Sequence, residues 1–440
     1  MMIPYAPCCR RLRRVLTLAL LLGLFAPATL VLAGAEPYGR DFAREGARWA
    51  EGGPPGALVP SLPAAAEAPP AAALEALQER LAALEAESGP YAAGLEEPLA
   101  SLGRALAARG RYGEAVAAYR RALHVLRVND GLYGEAQKPL LAALLGIYRA
   151  AGDFATLDEQ YPWFYRVYGN GEPPLTGLRL EAALAYQRWQ REALRRELGN
   201  GTRRLLELVD DGAELLARAA ADPAAGWAAH RDLALSQLRN LYLVEQRVAP
   251  PPEDYPGLRD PDPFQRNELF TGDPQEDRLQ SLRRTAQADG RRLLEELTAA
   301  APDGEARAEV LVALGDWQQW HGREGAARQA WEEAIDAFER AGRGERVAAL
   351  FAEPTELPDN GVFWQPPAAE SDVLRPVVAA RFTVTERGRA REVEAEVVSG
   401  RDSAWIGVAR ALRRLRFRPA FADGAPVPTA GVRRFYEVYD

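Results

Sequence analysis

The residues that most often carry enzyme chemistry are few in this sequence and stand far apart. The chain of 440 residues has three histidines, His124, His230 and His321, and none belongs to an H-E-x-x-H or H-x-x-x-H pattern. It also contains neither a G-x-x-x-x-G-K-[ST] phosphate-binding loop nor a G-x-S-x-G nucleophile turn. We therefore predict a non-enzymatic protein with no catalytic residues and no cofactor.

Two further groups of residues contain metal-ligand types, and neither has the spacing of a metal site. Four aspartates stand in a stretch rich in proline: Asp260, Asp262, Asp273 and Asp277. Their spacing does not match a calcium-binding EF-hand loop, so the pattern favours a solvated acidic loop. The only cysteines, Cys8 and Cys9, precede an apolar run near the N terminus. The chain beyond that run therefore has no disulfide, no thiolate nucleophile and no cysteine metal ligand.

The N-terminal residues have the three parts of a secretory signal. Residues 10–14 are rich in arginine, residues 15–32 are apolar, and Ala33 and Ala35 place small side chains at the two specificity positions of a cleavage site. We predict cleavage after Ala35, and no later segment is long and apolar enough to cross a membrane. An apolar stretch such as residues 15–32 can also span a bilayer, so a retained membrane anchor is the alternative.

The charge of the chain argues against nucleic acid as a partner. The formal net charge is −8, and loss of residues 1–35, which hold four arginines and no acidic residue, would leave about −12. Nucleic-acid backbones attract basic surfaces, and an acidic chain lacks the electrostatic attraction that drives nonspecific binding. We predict no nucleic-acid partner and no small-molecule substrate.

The C-terminal residues have the pattern of a small α+β domain. Apolar and polar residues alternate over residues 378–384 and again over residues 393–397, which is the period of half-buried strands. Residues 386–389 form a polar break with a glycine, suited to a hairpin turn. Residues 405–412 have apolar side chains at helical spacing, and residues 432–439 are rich in Val, Phe and Tyr. One helix on one face of an antiparallel sheet would bury these apolar stripes.

Two motifs in this region resemble the C-terminal domain of the TonB family. They are Arg416-Phe417-Arg418-Pro419-Ala420 and, after it, Asp423-Gly424-Ala425-Pro426-Val427. The resemblance covers nearly all of residues 376–440. It departs upstream, where the Tyr-Pro element usual in the family is replaced by Val373-Leu374-Arg375-Pro376. The resemblance implies a periplasmic protein of a Gram-negative bacterium that acts by contact between proteins.

The same resemblance implies where a partner would bind. In the TonB family the C-terminal domain pairs by strand addition with a short segment of an outer-membrane transporter, and the comparable edge here is formed by residues 432–438. The implied partner-binding residues are Val432, Arg433, Arg434, Tyr436 and Val438. The implied partners are envelope proteins, such as an outer-membrane transporter or an inner-membrane complex.

The helical part of the chain resembles tetratricopeptide (TPR) repeats. The first copy consists of Leu99, Leu102, Gly103, Leu106, Gly110, Tyr112, Ala115, Tyr119 and Ala122. In this pattern Gly103 and Ala115 let two antiparallel helices approach closely, and Gly110 ends the first helix. Each such hairpin buries one face only against its neighbours, so several copies must stack.

Two further copies follow at longer intervals. The second consists of Leu141, Leu144, Leu145, Tyr148, Gly152, Phe154, Leu157, Tyr161 and Phe164. The third consists of Leu311, Leu314, Gly315, Gly322, Ala327, Trp331 and Ala334. The third copy departs from the pattern at Glu324, where an aromatic residue is usual, and at Trp317, which is one residue out of place. The copies predict an α-solenoid, with an irregular helical bundle as the alternative.

These patterns predict a mainly α chain, in which an α-solenoid of TPR-like hairpins precedes a small α+β domain. The predicted segments are a signal peptide (1–35), a disordered linker (36–73), TPR-like repeats (74–248), a Pro/Asp-rich loop (249–278), further TPR-like repeats (279–342), a linker (343–375) and the TonB-like domain (376–440).

The resulting expectation for function is a periplasmic scaffold or adaptor that binds envelope proteins through both modules. The alternative is an energy transducer of the TonB type, anchored in the inner membrane and facing the periplasm. That function needs a long Pro-rich spacer, and the chain has only a short one over residues 353–376. An envelope hydrolase finds no support among the residues.

Overall fold

Helices dominate the structure, a computed structural model that describes residues 42–44, 70–132, 134–248, 273–363, 376–400 and 403–439. Thirteen helices make up 65% of these residues, so the described part of the chain is mainly helical, with a small strand-containing region at its C-terminal end. The predicted signal peptide, including Ala35, lies outside the described residues, as do residues 249–272 of the predicted loop.

The helices run in chain order as α1 (Ala71–Ser88), α2 (Glu96–Ala108), α3 (Tyr112–Asp130), α4 (Gln137–Ala150), α5 (Phe154–Val167), α6 (Gly177–Arg195), α7 (Gly201–Ala221), α8 (Trp227–Arg247), α9 (Pro274–Ala299), α10 (Gly304–Trp320), α11 (Glu324–Arg340), α12 (Gly344–Phe351) and α13 (Ala404–Leu412). Over the described residues, no helix combines the length and the hydropathy that crossing a membrane requires.

The strands form three antiparallel sheets. They are β1 (Phe42–Arg44), β2 (Thr355–Glu356), β3 (Val377–Val384), β4 (Ala390–Ser399), β5 (Phe417–Arg418), β6 (Ala420–Ala422), β7 (Ala425–Val427) and β8 (Thr429–Val438). The largest sheet has the order β1-β8-β3-β4, while β2 pairs with β5 and β6 pairs with β7. The predicted strands, hairpin turn and helix of the C-terminal region are confirmed as β3, β4, β8 and α13.

Glycine makes the close contact between α2 and α3 possible. A Cβ atom on Gly103 would lie 2.5 Å from the ring of Tyr119, which is closer than side chains tolerate. Gly110 ends the first helix of the pair with a φ of +72°, a value that L side chains rarely adopt. The predicted close approach of these two helices at Gly103 is confirmed.

Glycine also allows a close contact between α10 and α11. A Cβ atom on Gly315 would lie 2.3 Å from the indole Nε1 of Trp331, so the tryptophan packs directly on the backbone of α10. Trp317, which is one residue out of place in the repeat pattern, is fully buried and packs against a glycine of its own, because a Cβ atom on Gly290 of α9 would lie 2.5 Å from its ring. The irregular position of Trp317 thus serves the contact between α10 and α9.

The structure differs from the sequence expectations at the segment boundaries. The predicted linker 36–73 contains β1 and the start of α1, and the predicted linker 343–375 contains α12 and β2. The predicted loop 249–278 ends early because α9 begins at Pro274, where the carboxylate of Asp273 accepts a hydrogen bond from the backbone N–H of Gln275. Asp273 therefore caps a helix, and Asp277 lies in its first turn, where acidic side chains favour the helix dipole.

Buried apolar residues form two large clusters, and the larger one joins the sheet to the helices. One cluster consists of residues from α1 to α6, including Leu99, Tyr119 and Phe164. The other runs from α6–α10 through Phe363 to β3, β8 and α13 without interruption. The C-terminal region is therefore built onto α8, α9 and α10 and shares their core.

Candidate partner-binding edge of the C-terminal sheet

Strand β8 contains all five residues that the sequence predicts for partner binding. It pairs with β3 in a register that sets Phe382 opposite Val432 and Val378 opposite Tyr436. Because side chains alternate between the faces of a strand, Val432, Arg434, Tyr436 and Val438 lie on the core-facing side. Val432 and Tyr436 are buried, whereas Arg433 is exposed on the opposite face.

One backbone hydrogen bond shows which groups of β8 point away from β3. The N–H of Val438 donates to the carbonyl of Pro376 over 2.9 Å, so it points toward β3. Successive N–H groups of a strand point to opposite sides, and the N–H groups of Glu437, Phe435 and Arg433 therefore point outward. These are the groups that a strand added to this edge would use.

Part of this edge is already occupied by the chain itself. Strand β1 pairs with β8, setting Phe42 opposite Val438, Ala43 opposite Glu437 and Arg44 opposite Tyr436. The sequence predicts an exposed edge over the whole of residues 432–438, and the structure differs at residues 436–438. The reason is a long-range pairing between strands at opposite ends of the chain.

A single aromatic residue anchors β1. The side chain of Phe42 is only 2% exposed, and its ring meets the ring of Tyr436 edge-to-face with 5.7 Å between the centroids. Full burial of such a side chain stabilises a contact by about 1.5–3 kcal/mol. Within the described residues, β1 thus contributes one large apolar side chain to this contact.

On the remaining part of the edge, the side chain of Arg434 occupies an outward backbone group. Among the described residues, no strand pairs with β8 on its outer side from Arg433 to Phe435. The guanidinium of Arg434 donates to the outward carbonyl of Arg433 over 3.0 Å, and the guanidinium of Arg433 stacks on the ring of Phe435 with 5.3 Å to its centroid. Side chains that occupy backbone groups in this way protect an edge against unwanted pairing.

The opposite edge of the sheet is less suited to receive a strand. It is formed by β4, where the positive φ of Glu392 accompanies a shift in register against β3 between Arg381 and Thr383. Glu394 and Glu396 add negative charge along the same strand. Irregular backbone and charge both discourage strand addition, so β8 is the better acceptor of the two edges.

The motif Arg416-Phe417-Arg418 faces the helices and not the solvent. Arg418 is 2% exposed, and its guanidinium donates to both carboxylate oxygens of Asp316 on α10, at 2.9 and 3.1 Å. The indole of Trp331 donates to the same carboxylate over 3.1 Å. Burial raises the pKa of Asp316 to about 6, although the charge of Arg418 acts in the opposite direction.

A second carboxylate on the helices receives two more arginines of the C-terminal region. Glu324, the first residue of α11, accepts hydrogen bonds from Arg389 over 3.0 Å and from Arg416 over 3.3 Å. Between these ion pairs, the amide of Gln319 donates to the backbone carbonyls of Arg387 and Phe417, at 2.8 and 3.1 Å. The contact between α10–α11 and the C-terminal region thus combines charge pairs with backbone recognition.

Sequence reasoning singled out the arginine motif and the departure at Glu324 separately and did not predict that they meet. The departure at Glu324 is explained, because an aromatic residue there could not pair with Arg389 and Arg416. Nothing in the local pattern singles out Asp316 or Gln319, since their partners lie far away in the sequence. The sequence did contain a signal for this contact: the C-terminal region has an arginine motif, and the helical repeats have a glutamate, Glu324, where an aromatic residue is usual.

The three histidines lie in separate places. His321 packs between Trp317 and Glu245, with one ring nitrogen 2.7 Å from a carboxylate oxygen of Glu245. The ring of His124 meets that of Tyr91 at 5.4 Å between centroids. Over the residues described, no group of three or more His, Cys, Asp or Glu side chains could hold a metal ion.

No model of a known protein family matches the chain, and no curated protein is similar to it.

Proposed function

We propose that this protein is a non-enzymatic periplasmic scaffold that binds envelope proteins through TPR-like helical hairpins and through the edge of a TonB-like C-terminal sheet. The hairpins stack as an α-solenoid and hold a protein or peptide in its concave face. The C-terminal sheet receives an extended segment of an envelope partner along β8.

The observation that carries this proposal is the row of outward backbone N–H groups along the β8 edge. The outward N–H groups of Arg433 and Phe435 continue the row that begins at Glu437, where β1 pairs, on a strand whose residues 432–437 all pair with β3 on the other side. Peptide recognition by strand addition requires such a row of backbone groups beside a pocket for alternate side chains. The pocket that holds Phe42 is a site of this kind.

The attachment of the C-terminal region favours a scaffold over the alternative, an energy transducer. A transducer requires a terminal module that can reach across the periplasm on a spacer. Here Tyr242 of α8 contacts Trp317, Trp320 and Phe363 at the centre of the core that the sheet shares with the helices. A module fixed to the helices in this way presents its edge in a constant orientation, which is what an adaptor needs.

Proline substitution in β8 combined with photo-crosslinking tests the proposal. A photoreactive residue replaces Phe435 in cells, and we expect a discrete adduct with an envelope protein. Arg433→Pro removes an outward N–H and should abolish the adduct while the far-ultraviolet circular dichroism stays at the parent level. Arg434→Pro is the matched control, because its N–H points toward β3 and its loss should lower the melting temperature.

Two results would contradict the proposal. The first is an Arg433→Pro variant that remains folded and gives the same adducts as the parent. The second comes from cell fractionation with N-terminal sequencing, where the proposal expects a mature protein that starts at Glu36. A full-length chain that stays with the inner membrane after salt washing would favour the transducer.

A further inference from the structure

We propose that β1 is an exchangeable internal occupant of the β8 edge, and that the partner segment which replaces it is an extended peptide with the pattern aromatic-x-basic, antiparallel to β8. This inference rests on the proposed function and adds the chemistry of the partner and the means by which the site is kept closed. β1 is thus a model of the ligand, supplied by the chain itself.

The aromatic position follows from the contacts of Phe42. Its ring is buried against Tyr436, and the register places it opposite Val438 on the core-facing side. Phe42 belongs to the same apolar cluster as Phe382 and Phe363, so the pocket is continuous with the core of the sheet. A partner segment without a large apolar side chain at this position would leave the pocket open.

The basic position follows from the residue two places further along. Arg44 lies on the same side of β1 as Phe42, because side chains at i and i+2 share a face. It stands opposite Tyr436, whose hydroxyl donates to the buried carboxylate of Glu356 over 2.6 Å, and its charge also acts on the carboxyl group of Asp359. Burial raises the pKa of Asp359, and the positive charges of Arg418 and Arg44 act against that rise. A positively charged side chain at this position is therefore attracted by a nearby acidic group.

The described pairing leaves the adjoining part of the β8 edge for a longer partner strand. Within the described residues, β1 and β8 share three residue pairs, from Phe42 opposite Val438 to Arg44 opposite Tyr436. Beyond these pairs, the carbonyl of Arg433 accepts a hydrogen bond from the side chain of Arg434. A longer partner strand would cover Phe42's pocket and continue to Phe435 and Arg433, displacing the guanidinium of Arg434 into solvent. Such a strand forms more ladder pairs than β1 does.

A reversible lock tests the exchange on a chain that begins at Glu36 and keeps every described residue. Phe42→Cys and Val438→Cys together place two thiols on residues that face each other across the strand pair, and that chain has no other cysteine. The probe is a fluorescent peptide of residues 38–48, and its binding is measured by anisotropy. We expect the reduced chain to bind the peptide and the oxidised chain to bind it at least about tenfold more weakly, because a tethered strand competes at high effective concentration.

The controls separate exchange from damage to the fold. Val438→Cys alone should respond to reductant in neither binding nor circular dichroism. Peptides with Phe42→Asp or Arg44→Glu should bind the reduced chain at least about tenfold more weakly than the parent peptide, since each removes one of the two recognised side chains.

Three results would overturn the inference: equal binding in the oxidised and reduced states, no binding in either state, or equal binding of all peptides. A reduced chain that dimerises at micromolar concentration without binding peptide would assign the edge to a second copy and also overturn it. Each of these results leaves the crosslinking at Phe435 in cells to be judged separately, so failure of the exchange is distinct from failure of the scaffold.

Discussion

At the scale of single residues, the pair formed by Arg418 and Asp316 decides how the C-terminal region is attached. Arg418 is nearly enclosed, and its guanidinium also lies over the ring of Phe351 at 5.4 Å from the centroid. Removing one partner of a buried ion pair costs far more stability than the intact pair contributes, because the other charge stays buried without a partner. The two residues are therefore interdependent.

The raised pKa of Asp316 predicts a specific dependence of stability on pH. Its pKa is about 6 in the folded state against an ordinary value of 3.8. Between pH 3.8 and about pH 6, the folded state therefore keeps a proton on Asp316 that the unfolded state has released. The free energy of unfolding contributed by this group should therefore fall as pH rises from about 4 to about 6. Urea denaturation of the parent and of Asp316→Asn between pH 4 and pH 7 measures the difference.

We expect the difference in the free energy of unfolding between the parent and Asp316→Asn to change by about 1–3 kcal/mol between about pH 4 and about pH 6. The parent should lose stability relative to the variant as pH rises. Above about pH 7 the two curves should run parallel, since Asp316 is then ionised in both states. Parallel curves over the whole range would show that the carboxyl keeps an ordinary pKa.

At the scale of elements, two glycines of the first helix pair have opposite environments and make a matched test. A Cβ atom on Gly103 meets the ring of Tyr119, whereas one on Gly113 of α3 meets nothing within 4 Å. Gly103→Ala should destabilise the chain by about 1–3 kcal/mol through overpacking. Gly113→Ala should leave stability unchanged or raise it by up to about 1 kcal/mol, because alanine favours helix.

Thermal denaturation compares these two variants directly. Equal melting temperatures for both would mean that α2 and α3 can move apart at Gly103 at little cost. Such a result would remove the packing argument for the proposed TPR-like pairing of α2 and α3.

Glu324 gives a second test at this scale, because the repeat pattern and the structure make opposite predictions. Restoring the usual aromatic residue with Glu324→Tyr should destabilise the chain by about 1–3 kcal/mol, since buried Arg416 loses its carboxylate partner. Glu339→Tyr, at an exposed position of the same helix, should stay within about 0.5 kcal/mol of the parent. A more stable Glu324→Tyr variant in urea denaturation would show that the ion pairs contribute nothing.

Local patterns predicted the elements of the C-terminal region well, because each strand and helix there has its own apolar period. The alternation that predicts β3 is the alternation that buries Val378, Ala380 and Phe382. β1 could not be predicted in this way. It has three residues, too few to show a period, and its strand conformation comes from β8. The roles of Arg416 and Arg418 likewise depend on helices distant in sequence, so their types were visible but their partners were not.

At the scale of the whole molecule, the shared core predicts that the sheet and α10 unfold together. Phe382 is buried in this core and contacts the ring of Phe417, with 5.4 Å between centroids. Phe382→Ala should cost about 3–5 kcal/mol and should accelerate amide hydrogen exchange in β3 and in α10 alike. Exchange in α2 and α3, which belong to the other apolar cluster, should stay at the parent level.

Mass spectrometry of exchanged peptides distinguishes this outcome from independent modules. Leu99→Ala is the reciprocal control, because Leu99 lies in the cluster of α1–α6 and its loss should affect α2 and α3 first. Faster exchange in β3 with α10 still protected would show that the C-terminal region opens alone and is merely docked.

The pairing of β1 with β8 also has a consequence for the order in which the protein is made. β1 precedes every other described element of the chain and β8 follows them all, so the two can meet only after the residues of β8 have been synthesised. Until then Phe42 lacks its burial site against Tyr436, and its large apolar side chain has no partner of this kind. Burial of Phe42 thus distinguishes a chain that includes β8 from one that is truncated before it.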